Sequence, residues 1–228
     1  MLLSLLISLI TAAPPSAPRL KAVPPVERVT DKLYRVGKAL VDMEARTVSC
    51  RGAVNMDNGA IEYLAVASGG KLHESLFRLD VRPLHLQIGL MLLGCESKQS
   101  LKSQGDPAAP EGTQVQIKIR WSDISGRKLE MAAEKWILVM PGHHSMKDNP
   151  WVFTGSRILK SGFEADTSRS IAAVWHDPAA LIDNASASGA DNSCFVNSSI
   201  VPKRGTSVEF IISAPASSSP RTKEPTKS

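Results

Sequence analysis

Aromatic residues are scarce in this chain of 228 residues, at 5% of the total, although hydrophobic residues together make up 43%. A core must therefore be built mainly from Leu, Ile, Val, Ala and Met. Cysteine is also rare, and Cys50, Cys95 and Cys194 form no CxxC pair. Zinc knuckles and ferredoxin-type clusters need closely spaced thiolates, so we expect neither here. An oxidising compartment permits one disulfide among the three, but the sequence does not select the pair, and three small buried side chains are the simpler interpretation.

Several enzyme motifs are missing as well. The sequence contains no GxxxxGK[ST] phosphate loop, no GxGxxG dinucleotide fingerprint and no GxSxG nucleophile elbow. The segment Thr154-Gly155-Ser156 lacks the second glycine that such an elbow requires. No nucleotide-dependent or elbow-type hydrolase activity is therefore indicated.

Positive charge is not concentrated on the predicted domain. The formal charge is +5 at pH 7, but the Pro-rich segment 14–32 and the tail 215–228 hold +2 each, which leaves +1 for residues 33–214. Nucleic-acid binding needs a basic stripe on a folded face, and the excess here lies in the two ends. We therefore expect no nucleic-acid partner.

The chain begins with an uncharged apolar run, MLLSLLISLITAA, over residues 1–13. Its length is typical of the hydrophobic part of a signal peptide, and small residues and prolines follow it. It is shorter than the about 20 apolar residues that cross a bilayer, so we expect no stable membrane span after its removal. We predict cleavage near Ala12 or Ala13, a Pro-rich linker over residues 14–32 and a periplasmic or secreted location.

Short strand patterns dominate the rest of the sequence. Residues 113–121 alternate between apolar and polar side chains, as in a half-buried strand, and Asp57-Asn58-Gly59 is a strong hairpin-turn signal. The predicted fold class is mainly β, a β-rich α+β domain over residues 33–214 with an antiparallel, sandwich-like sheet and one buried helix. The polar tail 215–228 is expected to be disordered.

The buried helix is predicted between Asp80 and Gly94. Asp80 would cap its first turn, Pro83 would lie within that turn, and Gly94 would end it. Apolar residues occupy nearly every side of the segment, which is typical of a helix buried all round.

Histidine and carboxylate groups flank this helix. His73 and Glu74 come just before it, and His85 lies inside it. Imidazole nitrogens and a carboxylate suit zinc or another transition ion, so these three residues are the candidate metal ligands. The pattern is not HExxH, because Phe77 occupies the place of the second histidine, and in an extended segment His73 and Glu74 would point to opposite faces. The alternative is that each histidine is structural, with its own hydrogen-bond partner.

Several separated runs of the sequence resemble the YdjY-type domain family of exported bacterial proteins. The resemblance spans about Tyr34 to Pro215 and rests on KLHESLFRLDVRPLHLQIGLMLLG at 71–94, WVFTGS at 151–156, Glu164-Ala165-Asp166, IAAVWHDPAALID at 171–183 and PKRGTSVEFII at 202–212. It implies export and one folded domain, without a specific activity. Some members have a ferredoxin-like or iron–sulfur label, but this chain lacks the cysteines for a cluster, so we expect none.

Three classes of function remain open. The first is an exported, non-enzymatic binding or accessory protein with its functional patch, and a metal ion, around His73, Glu74 and His85. The second is an exported hydrolase-type enzyme with His73 or His85 as base and Glu74 or Asp166 as its partner. The third is a purely structural envelope protein, which would show an exposed apolar patch and a large self-association interface. Convergence of positions 73, 74 and 85 in space would favour the first.

Overall fold

The computed structural model describes residues 24–186 and 192–216. The predicted signal peptide lies outside the described residues, as do the first part of the predicted linker and residues 217–228 of the predicted tail. The strands are β1 (Val26–Arg28), β2 (Leu33–Val36), β3 (Ala39–Asp42), β4 (Thr47–Val54), β5 (Tyr63–Ala67), β6 (Ser75–Leu79), β7 (Ser97–Lys98), β8 (Glu111–Gln114), β9 (Gln116–Ser122), β10 (Lys128–Ala132), β11 (Ile137–Val139), β12 (His144–Ser145), β13 (Trp151–Phe153), β14 (Ile158–Leu159), β15 (Gly162–Phe163), β16 (Ser170–Ala173), β17 (Ile182–Asn184), β18 (Cys194–Val196) and β19 (Ser207–Ser213). The helices are α1 (Pro83–Leu92), α2 (Glu164–Ser168) and two 3-10 helices, η1 (Leu72–Glu74) and η2 (Ala133–Trp136).

This strand content confirms the β-rich α+β class. Most neighbouring strands are antiparallel, as expected, although β5 with β6 and β16 with β17 pair in parallel. The sheet also starts earlier than predicted, because β1 lies within the segment interpreted as a linker and pairs with β2.

Two strands close the large sheet on itself. β19 pairs along almost the whole of β4, whereas the other edge of β4 is shared by β3 at its start and β6 at its end. The second junction is the strand β8–β9, interrupted at Val115, in which β8 pairs with β13 and β9 pairs with β19. The strands therefore form a closed circuit, in the order β4, β6, β5, β16, β17, β13, β8–β9 and β19.

The core lies inside this circuit. Alternation along β9 and β19 sends Ile117, Ile119, Val208, Phe210 and Ile212 inward, where all are buried. The few aromatic residues are concentrated here, with Trp136 packed edge-on against Phe77 and Trp121 at centroid distances of 5.3 and 4.9 Å.

The three cysteines are buried and make no disulfide. Burial raises the pKa of the Cys50 and Cys95 thiols, so both stay protonated at neutral pH. The interpretation of these residues as small apolar side chains is confirmed.

The prediction that Asp80 caps the helix is wrong. Its amide donates to the Arg51 carbonyl at 2.9 Å as β6 ends, and its carboxylate pairs with Arg78, so α1 starts three residues later at Pro83. The cap comes from Asp166 in α2, whose Oδ1 accepts the Leu84 amide at 3.0 Å. The predicted end is confirmed, because Gly94 follows the cap residue Leu93 with a φ of +79°.

Helix α1 is also not buried all round. Leu86 and Leu90 face the core and Gly89 packs closely on Val41 and Val48, but Met91 on the opposite face is 57% exposed. A glycine at this contact lets the helix approach the sheet closely, because a Cβ atom there would crowd the valine methyl groups.

A relay of side chains positions both helices. Ser156 Oγ accepts the Ala165 amide at the start of α2, at 3.1 Å, and donates to the Ala179 carbonyl at 2.8 Å. Asp166 of α2 then caps α1, and its Oδ2 is held by the Arg82 guanidinium. The short α2 thus fixes α1 relative to the loop that contains Ala179.

In the described part of the chain, helices are too short or too polar to cross a membrane.

Replacing Asp166 with Ala should lower the free energy of unfolding by about 1–3 kcal/mol, because it removes both the helix cap and the partner of a half-buried arginine. Urea denaturation measures this. Asp166→Asn keeps an acceptor for the Leu84 amide and should lose less, and Asp148→Ala, at an exposed ion pair, should change little. Equal losses for Asp166→Ala and Asp148→Ala would contradict the capping role.

Candidate functional site

Two of the three predicted ligands meet at the surface. His73 and Glu74 lie in η1, and His73 Nε2 is 3.4 Å from Glu74 Oε2. They do not point to opposite faces, because the segment is a turn of 3-10 helix and not an extended strand. The His73 side chain is 79% exposed.

His85 lies elsewhere and has a structural role. Its ring is buried behind the β2–β3 turn, where any side chain at Gly37 would collide with the imidazole, and Nδ1 accepts the Lys38 amide at 3.2 Å. Burial lowers the pKa of His85, and the nearby cations Arg82 and Lys38 lower it further. A ring that accepts through Nδ1 is neutral, with its proton on Nε2.

The structure does not bring His73, Glu74 and His85 together as one ligand set. No group of three His, Cys, Asp or Glu side chains in residues 24–186 and 192–216 is arranged to hold a metal ion. The five extended residues of β6 separate η1 from α1, a span of roughly 16 Å. The oxygens of Asp166, the alternative partner of His85, are engaged by Arg82 and the Leu84 amide.

Lys71 is the centre of a group of ionisable side chains that includes Glu74. Its Nζ lies 3.3 Å from Glu74 Oε1 and 3.9 Å from Glu62 Oε2, and it donates to Tyr63 Oη at 3.0 Å. Both glutamates are mostly buried, with side chains 18% and 19% exposed, whereas Lys71 is 40% exposed.

Tyr63 links this surface group to the interior. Its side chain is fully buried in β5, and its hydroxyl donates to Asp177 Oδ2 at 2.7 Å. Burial raises the pKa of Tyr63, and the neighbouring Asp177 carboxylate adds to the rise, so the phenol stays protonated. Asp177 Oδ1 accepts the Ala179 amide at 2.9 Å. Asp177 therefore caps its own turn, as an aspartate before a proline predicts. We call Glu62, Tyr63, Lys71, Glu74 and Asp177 the ionic cluster.

Behind the cluster lies a buried pair, Asp183 and His176. Asp183 accepts the amides of Asp177 and Asn184 at 2.9 and 2.8 Å, and its Oδ1 is 3.9 Å from His176 Nε2. Burial raises the pKa of Asp183 to about 7, even though the amide donors and the imidazole favour the charged form.

The ionic cluster has an excess of negative charge. Glu62, Glu74 and Asp177 supply three carboxylates against the single ammonium of Lys71, a formal charge of −2. Buried charges are screened by solvent less than exposed ones. Outside the cluster, the Arg157 guanidinium, which pairs with Glu164, also interacts electrostatically with Asp177. Gln104 covers part of the cluster by donating to Glu62 Oε2 at 2.9 Å and to Tyr63 Oη at 3.4 Å.

Three cavities of the described structure lie away from the cluster. Cavities of ≈ 520, ≈ 320 and ≈ 260 Å³ open elsewhere, mainly beside β2, β3 and β19, and neither a histidine nor a member of the cluster lines them. The cluster is a surface patch whose innermost members, Tyr63 and Asp177, are buried.

Sequence reasoning found Glu74 but missed Glu62, Tyr63, Lys71 and Asp177 as site residues. One signal was available, because Tyr63 opens the otherwise apolar strand YLAVA, and a buried phenol needs a hydrogen-bond partner. The i,i+3 pair of Lys71 with Glu74 is a local signal, but the contacts of Lys71 with Glu62 and Tyr63 depend on the pairing of β5 with β6.

Comparison with known proteins gives one match. The family model described as the YdjY domain matches residues 39–213, which is more than half of the chain. No curated protein and no solved structure matches the chain.

The raised pKa of Asp183 predicts a pH dependence of stability. The ordinary value is 3.8 and the folded value is about 7, so between these the folded state binds a proton that the unfolded chain has released. The stabilisation is complete below about pH 4 and is lost as pH rises through 7. The free energies of unfolding of the natural chain and of Asp183→Asn can be measured by denaturation from pH 4 to 8. Over this range the natural chain should lose a few kcal/mol of stability relative to the variant. A gain in stability of the natural chain relative to the variant as pH rises would mean that the amide donors outweigh burial in setting the pKa of Asp183.

Proposed function

This chain belongs to the YdjY domain family, and from that premise we propose that it is an exported binding module whose ionic cluster contacts a positively charged ligand. The observation behind the proposal is that two carboxylates, Glu62 and Glu74, lie around Lys71, and a third, Asp177, accepts from the Tyr63 hydroxyl that Lys71 also contacts. The ligand class is a protonated amine or a guanidinium group, because such groups are matched to carboxylates in charge and hydrogen bonding.

Lys71 explains how the site would stay intact without its ligand. Two mostly buried carboxylates with no counter-charge would be costly, and the Lys71 ammonium neutralises part of that charge. The lysine side chain is long and partly exposed, so it can move aside when a ligand cation approaches Glu62 and Glu74. The ligand would then replace an internal ion pair by an intermolecular one.

Binding is better supported than catalysis by the state of the candidate bases. His85 uses Nδ1 to accept the Lys38 amide and lies behind a turn, and the Asp166 oxygens are engaged by α1 and Arg82. His73 and Glu74 do meet, but Glu74 is also paired with Lys71. A metal at this place would have His73 and Glu74 alone as ligands, so we do not include one in the proposal.

Export is supported by the sequence of residues 1–13. An uncharged apolar run of this length followed by small residues and prolines is typical of a signal peptide. A cationic group in the periplasm or outside the cell is then the expected partner.

Binding can be tested by titrating spermidine, a polyamine, into the full chain at low ionic strength and measuring heat. We expect saturable binding that weakens with added salt. Glu62→Gln and Glu74→Gln should each reduce affinity by about fivefold, because each removes one half-buried carboxylate.

The matched control is Asp148→Asn, at an exposed carboxylate that pairs with Lys135 outside the cluster. It should bind spermidine as the natural chain does. Absence of saturable heat with the natural chain, or equal losses in all three variants, would rule out the ionic cluster as the binding surface.

Export can be tested by expressing the full gene in a bacterial host and measuring the intact mass of the protein from the periplasm and the medium. The expected mass lacks residues 1–12 or 1–13. Leu6→Arg interrupts the apolar run and should leave the uncut chain in the cytoplasm. Recovery of the natural chain in the cytoplasm with Met1 retained would argue against export.

A further inference from the structure

The segment 99–108, which we call the strap, crosses over the ionic cluster. Through Gln104 it contacts Glu62 and the hydroxyl of Tyr63. The Tyr63 side chain is fully buried although its hydroxyl belongs to a group that reaches the surface. Gln104 is therefore part of what separates that hydroxyl from water.

The strap is a preformed unit. Asp106 accepts the amides of Lys102 and Ala108 at 2.8 and 2.9 Å, and its own amide donates to the Ser103 carbonyl at 3.2 Å. The two amide donors lower the pKa of the Asp106 carboxyl, so it remains a carboxylate. These hydrogen bonds give the loop its shape independently of its contacts with the body.

Few contacts attach this unit to the body. The Gly105 amide donates to the His176 carbonyl at 2.8 Å, and Gln99 donates to the Pro178 carbonyl at 2.9 Å. The Arg157 guanidinium donates to the Lys102 carbonyl at 3.4 Å. The Gly105 backbone also packs directly on the indole of Trp175. Leu101 is buried at one end, whereas Lys102, Ser103 and Gln104 are exposed. Segments with few buried apolar contacts are the ones that open locally.

The His176 side chain adds another attachment. Nδ1 faces the Asp106 carbonyl at 2.6 Å and Nε2 faces the Asn184 carbonyl at 2.8 Å. Carbonyl oxygens only accept, so both bonds form when each ring nitrogen holds a proton. Asp183 faces the ring from β17, with its Oδ1 3.9 Å from Nε2.

We propose that the strap is a lid over the ionic cluster and that His176 is its clasp. When the clasp releases, Gln104 leaves Glu62 and Tyr63, and the Tyr63 hydroxyl becomes reachable from solvent. The identity of the ligand that the opened surface binds rests on the proposed function, whereas the lid itself does not.

The test is hydroxyl-radical footprinting of the full chain, read by mass spectrometry as the oxidation rate of Tyr63 relative to Tyr34. Tyr34 is partly exposed in β2, outside the cluster, and serves as the internal standard. Asp106→Ala dismantles the internal bonds of the strap and should raise the relative rate at Tyr63 several-fold. Asp123→Ala, which dismantles a similar turn at the β9–β10 connection, should leave it unchanged.

A second measurement uses the natural chain alone. The Gly105 amide should exchange its hydrogen with solvent by local opening, much faster than the amides of β19 in the core of the sheet. Exchange at Gly105 as slow as in β19, or an unchanged Tyr63 rate in Asp106→Ala, would overturn the lid.

The same variant separates the lid from the proposed ligand. If the lid covers a cation site, Asp106→Ala should bind spermidine more tightly than the natural chain, because the cost of opening is already removed. A raised Tyr63 rate in a chain that binds no spermidine would keep the lid and reject the proposed ligand.

Discussion

The hydrogen bond from Tyr63 to Asp177 is the contact on which the other features of the site depend. It joins the first residue of β5 to the turn that follows β16. The two strands are antiparallel neighbours, so β16 leads into this turn and β5 begins beside it. Because the phenol donates inward, its oxygen is free to accept from Lys71 and Gln104 on the outer side. One buried oxygen thus sets the position of the lysine, of the glutamates around it and of the loop above.

The prediction of the fold succeeded where the pattern is local. Alternation along residues 113–121 predicted much of β9, and Gly94 predicted the end of α1. It failed for the start of α1, because the cap belongs to Asp166, about eighty residues further along the chain. A local signal at Asp80 was present, but β6 used that residue to finish its ladder. Closure of the strand circuit was equally invisible, since it depends on the pairing of β4 with β19.

The candidate site was predicted in part for the same reason. His73 and Glu74 are adjacent in sequence and stay adjacent in space, but His85 is carried away by an intervening strand. An extended strand between two residues keeps them far apart, because each residue of the strand adds about 3.3 Å. Sequence spacing alone does not reveal whether the intervening segment is extended. Among the site residues that were missed, Tyr63 and Lys71 are brought together by the parallel pairing of β5 with β6, and Asp177 reaches Tyr63 from a turn more than a hundred residues later.

The position of β19 in the circuit has a consequence for how the domain folds during synthesis. β19 spans Ser207–Ser213 and is the one partner that β4 and β9 share, so the ring of strands stays open until nearly the whole domain has been synthesised. The first half of the chain has no complete core of its own to collapse onto. The contacts that close the circuit can therefore form only after residues 207–213 have left the ribosome.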